Sequence, residues 1–494
     1  MAIRKMTVSQ NPLLEASNGH QTRFELELHS GTLQVNDVVR KLPNRRVVMH
    51  GWMDGREVFI KAFLGPSAQR YAERDLAGVR SFQQAGVLTP HLHYQEYSSR
   101  YQSWILVFEA VKQANSVMEY YSSHSLQARS NLLKQLSATL AKHHHAGLIQ
   151  KDMHPNNFLI QKHRNQVKIY CLDGDAVRVF RQLTYAQSML NLATLLCKFD
   201  VLEVNNQLPE YLQSYAKARA WQPFTEPQIQ NFRDMMRSAR LEMLSQYADK
   251  KVFRDCSDVK VQKIAPYLLR LSKNIYTQAE KLIDSLSRAF QQSDYLKRGN
   301  TCSVVRYQVN QQSIVIKRYN IKNIWHGLSR GLRASRASLS WGNAHRLNLL
   351  GIPTGQPLAL IEKRIFGWQL QSYFISRFVP GLSLKDLPQH MNKTQLKQAA
   401  EALAELFYRM HLIGISHGDC KSDNFKYDQH CWWILDLDSM QQHSSEKRAS
   451  QAHIRDLKRL FANWKADDTL YNVMLSAFAK RYGNDPVLRM AGLQ

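Results

Sequence analysis

The chain has 494 residues, 44% of them hydrophobic, and carries 66 Lys and Arg against 40 Asp and Glu, a formal net charge of +26. That length exceeds one ordinary core and implies at least two domains, and the surplus of cations favours polyanionic partners such as anionic lipid, phosphorylated glycan or nucleic acid. The start of the chain lacks an apolar signal core, no run approaches a membrane span of roughly 20 apolar residues, and the six cysteines form no CxxC pair. The expectation is a protein of the reducing cytosol, with any membrane contact peripheral.

In chain order, the first strong element is the apolar strand Glu57-Val58-Phe59-Ile60-Lys61, ending in a lysine. A helix-like stretch and the turn AGVLTP at 85–90 follow, and then the apolar strand Trp104-Ile105-Leu106-Val107-Phe108-Glu109. Next comes Gln150-Lys151-Asp152-Met153-His154-Pro155-Asn156-Asn157-Phe158, followed by Cys171-Leu172-Asp173-Gly174-Asp175. The region 180–295 is helix-patterned in LTYAQSMLNLATLLCKF, PEYLQSYAKARAW and VQKIAPYLLRLSKNIYTQAEKLIDSLSRAF, and is expected to complete a helical lobe.

The same order then recurs. Ser313-Ile314-Val315-Ile316-Lys317 is a second strand ending in lysine, LGIPTG at 350–355 a second turn, and the run 371–377 a second apolar strand. His417-Gly418-Asp419-Cys420-Lys421-Ser422-Asp423-Asn424-Phe425 and Leu435-Asp436-Leu437-Asp438 complete the copy. The offsets between the copies stay nearly constant, so two colinear domains of one fold are expected. The last stretch, from 449 on, is expected to form closing helices.

An Asp, an Asn five residues later and a further Asp beyond a short strand have the layout of a kinase catalytic loop. Phosphoryl transfer needs positioning and charge neutralisation more than covalent help, so carboxylates and an amide must converge on Mg2+, which prefers oxygen ligands. In that layout Asp152 and Asp419 meet the acceptor hydroxyl, and Asn157, Asp173, Asn424 and Asp436 hold metal. Lys61 and Lys317 bind ATP phosphates, and Lys421 neutralises the phosphoryl group in flight. A lone Asp in a loop is ordinarily a turn former and a lone Lys at a strand end a solvated terminus; the ordered set carries the inference.

Other residues read less sharply. Gly299, in Arg298-Gly299-Asn300-Thr301, is a candidate phosphate clamp with a simple turn as the alternative, and the first copy has Leu42 to Arg46 there with no glycine. His144 and His411 are expected to be structural, and Asp175 and Asp438, two residues beyond each further Asp, to cap the next helix, with support of the metal ligands as the alternative. The basic run 330–336, flanked by Ile324, Trp325 and Leu328, suits an anionic lipid surface, with a solvated helix face as the alternative. Nucleic acid is not the expected partner, because no reader motif appears.

Both halves resemble the lipopolysaccharide kinase (Kdo/WaaP) family. In 295–465 the resemblance rests on LKRGNTCSVVRY, VIKRYN, SRASLSWGNAHRLNLLGIPT, HGDCKSDNF and ILDLDSM, and in 30–290, more loosely, on VFIK, AGVLTP, KDMHPNNF and CLDGD. It implies an α+β fold of two tandem protein-kinase-like domains, at 1–290 and 291–494, each with a small β-rich lobe and a larger helical lobe. It also implies ATP-dependent phosphorylation of a heptose or Kdo sugar of the lipopolysaccharide core, an anionic glycolipid, at the cytoplasmic membrane face. Carried over by position, the first half gains Glu73 as the ion-pair partner of Lys61, whereas Ser338 stands opposite Glu73 in the second. The first half departs from the family in having Gln150 for the usual histidine. These opposite defects leave open two active sites, one active domain beside a degenerate scaffold, or two pseudokinases. At least one active site is expected, with no preference between the halves. A protein kinase, a small-molecule phosphotransferase and a silent ATP-binding scaffold are the other readings.

Overall fold

Antiparallel strands with one buried face and a helix laid across the other account for the centre of each half. A computed structural model describes residues 11–494 except 20, 164–165, 293, 300, 310, 321–333, 366–367, 429, 465–468 and 494. The chain divides into two compact units, Met1–Phe199 with Glu203–Met236, and Asp200–Leu202 with Arg237–Gln494.

The first unit opens with a short helix, α1 (Pro12–Asn18), and six strands: β1 (Phe24–Leu28), β2 (Gly31–Leu42), β3 (Arg46–Met53), β4 (Arg56–Phe63), β5 (Leu92–Ser98) and β6 (Ser103–Glu109). They form one sheet in the order β1-β2-β3-β4-β6-β5. The period-two pattern of β4 buries Val58, Ile60 and Ala62 against the core shared with Leu26, Leu33, Met49 and Val107. Lys61 therefore points to the opposite face. Helix α2 (Ala68–Gln84) packs on that face through Ala72, Leu76 and Val79 beside Phe63 and Leu106.

Four further helices, α3 (Val117–Ser123), α4 (Leu126–His145), α5 (Tyr185–Leu196) and α6 (Val201–Ala218), build a second layer. Capping boxes Ser116/Glu119 and Thr184/Gln187 start α3 and α5, each N-cap satisfying backbone donors left open by the first turn. Between α4 and α5 lie β8 (Leu148–Gln150), β9 (Phe158–His163), β10 (Gln166–Cys171) and β11 (Val177–Val179), with the earlier β7 (Ala114–Ser116) pairing with β9.

The second unit repeats this plan. Strands β12 (Val259–Ile264), β13 (Tyr267–Ser272), β14 (Asp294–Lys297), β15 (Cys302–Val309), β16 (Gln312–Asn320), β17 (Pro357–Ile365) and β18 (Trp368–Arg377) form a seven-stranded sheet in the order β12-β13-β17-β18-β16-β15-β14. With α7 (Glu226–Ser245) and α8 (Ala279–Gln292) preceding it in the chain, α9 (Arg336–Leu349) stands where α2 does in the first unit. A helical layer follows, with α10 (Lys393–Ile413), α11 (Glu446–Phe461) and α12 (Thr469–Tyr482), and the short strands β19 (Leu382–Ser383), β20 (Ile415–Ser416), β21 (Phe425–Tyr427), β22 (Trp432–Ile434) and β23 (Gln441–Gln442) carry the loops between.

Two expectations are corrected here. Residues 237–290 group with the second unit and not with the first, because β13 pairs with β17 from Tyr267↔Lys363 to Leu271↔Ala359. The run VQKIAPYLLRL is a hairpin and not a helix: Pro266 sits at its turn, where a helix would lose a hydrogen bond, and Leu269 and Leu271 alternate into the core with period two. The apolar residues at 324–328 and the basic residues at 330 and 333 lie outside the described residues.

Candidate active site

In the second unit, β16 places Lys317 on the face opposite the buried Ile314 and Ile316, and its ammonium is paired with the Asp436 carboxylate. Asp438 Oδ2 lies 3.6 Å from the same ammonium and 2.6 Å from Arg336 Nη2 at the start of α9. Asp438 is therefore no helix cap, contrary to expectation; it takes the place of the missing helix acid beside Lys317. Asp436 adopts a left-handed backbone at φ 58°, which turns the chain sharply at the end of β22. Burial opposes ionisation of Asp436, but the adjacent Lys317 ammonium overrides it and holds the carboxyl below the usual carboxylate range.

The catalytic loop is held from beneath. Asp456, buried on α11, accepts from the backbone N–H of His417 at 2.6 Å and of Gly418 at 2.9 Å. Burial raises its pKa despite those two bonds. The His417 ring meets the Leu435 carbonyl at 2.8 Å, tying the loop to the strand that carries Asp436. Asn463 adds two ties, accepting from Ser422 N–H at 3.1 Å and donating to the Cys420 carbonyl at 3.0 Å. On this frame Lys421 Nζ lies 2.8 Å from Asp419 Oδ2, and the Asn424 amide nitrogen donates to the Asp419 carbonyl at 2.7 Å. Spending the nitrogen there leaves the amide oxygen of Asn424 as the ligand-type atom.

Lys317, Asp419, Lys421, Asn424 and Asp436 line a single cleft of about 660 Å³. Its walls include Leu296, Val304, Val315, Phe374 and Leu435, the apolar surface that a planar base requires. Gly299 is exposed on the β14–β15 turn and is not among the residues lining the cleft.

The first unit has the same skeleton with different charges. Lys61 Nζ lies 2.6 Å from Asp75 Oδ2 and 3.6 Å from Asp173 Oδ1. Glu73, expected as its partner, is exposed and bonded instead to Gln69. Two residues turn a helix by about 200°, so Glu73 and Asp75 face opposite ways. A readable signal existed: Asp75 interrupts the buried stripe Ala72, Leu76, Val79 with an acid.

Asp173 repeats the left-handed backbone at φ 62°, and Asn157 donates to the Asp152 carbonyl at 2.9 Å. Gln150 donates to the Leu172 carbonyl at 2.8 Å, reproducing the His417 tie with an amide. The Gln150 carbonyl in turn accepts from Asn191 on α5 at 3.0 Å, and His144 bridges Asn191 and Tyr215, a structural role as expected. Asp152 and Asp173 share a cleft of about 410 Å³. Arg46 Nη1 reaches 3.5 Å from Asp173 Oδ1, and Asp175 pairs with Arg74 at 2.8 Å, again not a cap.

For Mg2+, no cluster of three or more His, Cys, Asp or Glu poised to hold a metal occurs among the described residues. An amide oxygen and one carboxylate suit that ion, which usually keeps several waters and substrate oxygens, and Asn424 with Asp436 fits. Asp173 already faces two cations and fits less well.

Each unit is thus a protein-kinase-like fold: in the second the strand lysine, the loop Asp and Asn and the further Asp line one cleft, and in the first Asp152 and Asp173 line a cleft without Lys61 or Asn157, with Lys61 3.6 Å from Asp173. A family model described as "Lipopolysaccharide kinase (Kdo/WaaP) family" matches residues 57–234 and again 287–480, and the chain belongs to that family. No curated protein matches the chain. One similar solved structure is described as "WaaP in complex with acyl carrier protein"; it is 16% identical, with 46% of this chain and 90% of that chain covered, at a TM-score of 0.32. Among the described residues, no helix is long and apolar enough to cross a membrane.

Proposed function

We propose that the second unit is an ATP-dependent kinase that phosphorylates an inner-core sugar, heptose or Kdo, of lipopolysaccharide. The observation that carries this reading is the single cleft in which apolar walls meet Lys317, Asp419, Lys421, Asn424 and Asp436. Asn424 and Asp436 would hold Mg2+, which when bound would supply positive charge to neutralise the phosphates. Lys317 binds phosphate oxygens, relinquishing Asp436 as it does so. Asp419 orients the sugar hydroxyl and accepts its proton, and Lys421 stabilises the charge on the phosphoryl group as it moves. The surplus of cations suits an anionic glycolipid at the cytoplasmic face of the membrane.

A second reading, with the first unit as the working half, draws on its Lys61–Asp75 pair, the arrangement protein kinases use to position the phosphate lysine. Its polar cleft and the guanidinium on Asp173 weigh against it. Turnover of Mg-ATP on purified core glycan by the intact chain, Asp419→Asn and Asp152→Asn decides between them. The first reading expects turnover to fall about a thousandfold or more in Asp419→Asn and to survive in Asp152→Asn. The reverse pattern transfers the activity to the first unit, and no turnover on any core glycan favours a scaffold.

A further inference from the structure

The two clefts diverge in a directed way. Strand register fixes the equivalences: Lys61 pairs with Val48 and Lys317 with Val304, so Arg46 corresponds to Cys302. Likewise Arg178 lies opposite Ile149 and Gln441 opposite Ser416, each one residue before the tie at Gln150 or His417, so Arg178 corresponds to Gln441 and Lys151 to Gly418. Three cations of the first unit's cleft thus stand where the second unit carries neutral residues.

Arg46, Arg74, Lys151 and Arg178, with Arg40, line that cleft against three carboxylates, Asp152, Asp173 and Asp175. The lining has two cations in excess. Arg46 is mostly buried, with 12% of its side chain exposed, and its Nε has no partner among the described residues. Arg178 is braced by the Asp175 and Val177 carbonyls at 3.2 and 2.7 Å. Of the apolar walls of the second cleft no counterpart lines this one beyond Ala176. Val48, Leu106 and Leu172, which correspond to Val304, Phe374 and Leu435 of the second cleft, do not line this opening, so its lining offers charge and not an apolar wall for a base, and guanidinium forks match phosphate oxygens in pairs.

We propose that the first unit's cleft is a receptor for a phosphate dianion, held by Arg46, Arg74, Lys151 and Arg178, and not a nucleotide site. The excess of two positive charges matches the charge of a phosphate monoester. Such a group is borne by a phosphorylated sugar or exists as free phosphate, and Arg40, exposed at the rim, is placed to meet it first. The Arg46 guanidinium beside Asp173 supplies the charge that a metal supplies in a kinase, so binding needs no divalent ion. This holds whether or not the second unit turns over ATP.

The test is calorimetric titration of the full chain carrying Lys317→Ala, which disables the other cleft, in the presence of EDTA. Inorganic phosphate, glucose 6-phosphate and ADP are the probes. Binding of phosphate or sugar phosphate is expected, weakened by salt and weakened about fivefold or more by Arg178→Gln, which installs the second unit's residue, and by Lys151→Gln at an exposed position. Equal affinity for the two probes identifies free phosphate as the ligand, and tighter sugar phosphate identifies the ester. Unchanged thermal midpoints confirm that the variants fold. The proposal is overturned if neither anion binds, if both substitutions leave affinity unaltered, or if ADP binds about tenfold tighter than phosphate and loses that affinity in the same variants.

Discussion

Lys61 Nζ sits 2.6 Å from Oδ2 of Asp75, a carboxylate with no exposed surface. Buried charge of this kind survives only because it is paired, and the pair fixes the register between α2 and the strand that carries the lysine. The second unit solves the same problem from the other side: Ser340 on α9 bonds Tyr319, and the segment Asp436–Asp438 itself supplies the carboxylates beside Lys317.

The first prediction concerns that pair. Asp75→Ala leaves Lys61 without its closest partner and is expected to lower the stability of the first unit by roughly 3–5 kcal/mol, whereas Glu73→Ala, on the exposed side of α2, stays within about 0.5 kcal/mol. Urea unfolding followed by fluorescence compares the two; equal midpoints would return the role to Glu73.

His417 and Gln150 perform one task with different chemistry, each meeting at 2.8 Å the carbonyl that precedes Asp436 or Asp173. His417→Gln should therefore keep turnover within about tenfold, because an amide already makes this tie in the first unit. His417→Ala leaves a buried carbonyl unmet and is expected to cost about 1–3 kcal/mol. Steady-state kinetics with thermal unfolding of both variants checks the contrast.

Asp456 accepts from two consecutive backbone donors of the catalytic loop. An amide in its place offers one accepting oxygen and one repelling NH2 group, so Asp456→Asn loosens the loop beneath Asp419. Small misplacement at a reacting centre costs on the order of a hundredfold, and kcat is expected to fall by about that factor with KM for ATP nearly unchanged. A rise in KM alone would argue against a positioning role.

Acid should destabilise both units before the carboxylates titrate. Burial lowers the pKa of His143 to about 3 and those of His144 and His345 to about 4. Between about pH 6.5 and 4 the unfolded chain binds protons that the folded chain does not, so stability falls as pH falls, by on the order of 3 kcal/mol per histidine at pH 4. Thermal midpoints measured across that range should decline, and His144→Gln should flatten the slope for the first unit. A midpoint independent of pH down to 4 contradicts the buried, neutral assignment.

What short spacing encodes was legible in the sequence. The step of five from Asp to Asn, the Asp beyond the next strand and the lysine at the end of an apolar strand are set by one turn or one hairpin, so residue order alone pointed to the kinase-like fold and to where each candidate site lies in the chain. The alternation that sets Lys61 and Lys317 apart from the core-facing residues of their strands is equally local, but it emerged only with the strands in place. The Pro266 break and the alternation of Leu269 and Leu271 were also present to be read, though the surrounding helical pattern concealed them.

Only the tertiary structure decided which acid meets Lys61, where the first unit stops, and how the two clefts differ in charge. Asp75 and Glu73 are two positions apart, and which one faces the strand depends on the rotation of a packed helix. Arg46, Arg74, Lys151 and Arg178 come from four separate segments, and nothing local to any of them announces that the others converge on the same carboxylates. Contacts between distant segments are settled by packing and register of the whole unit, which a linear pattern of residue types does not contain.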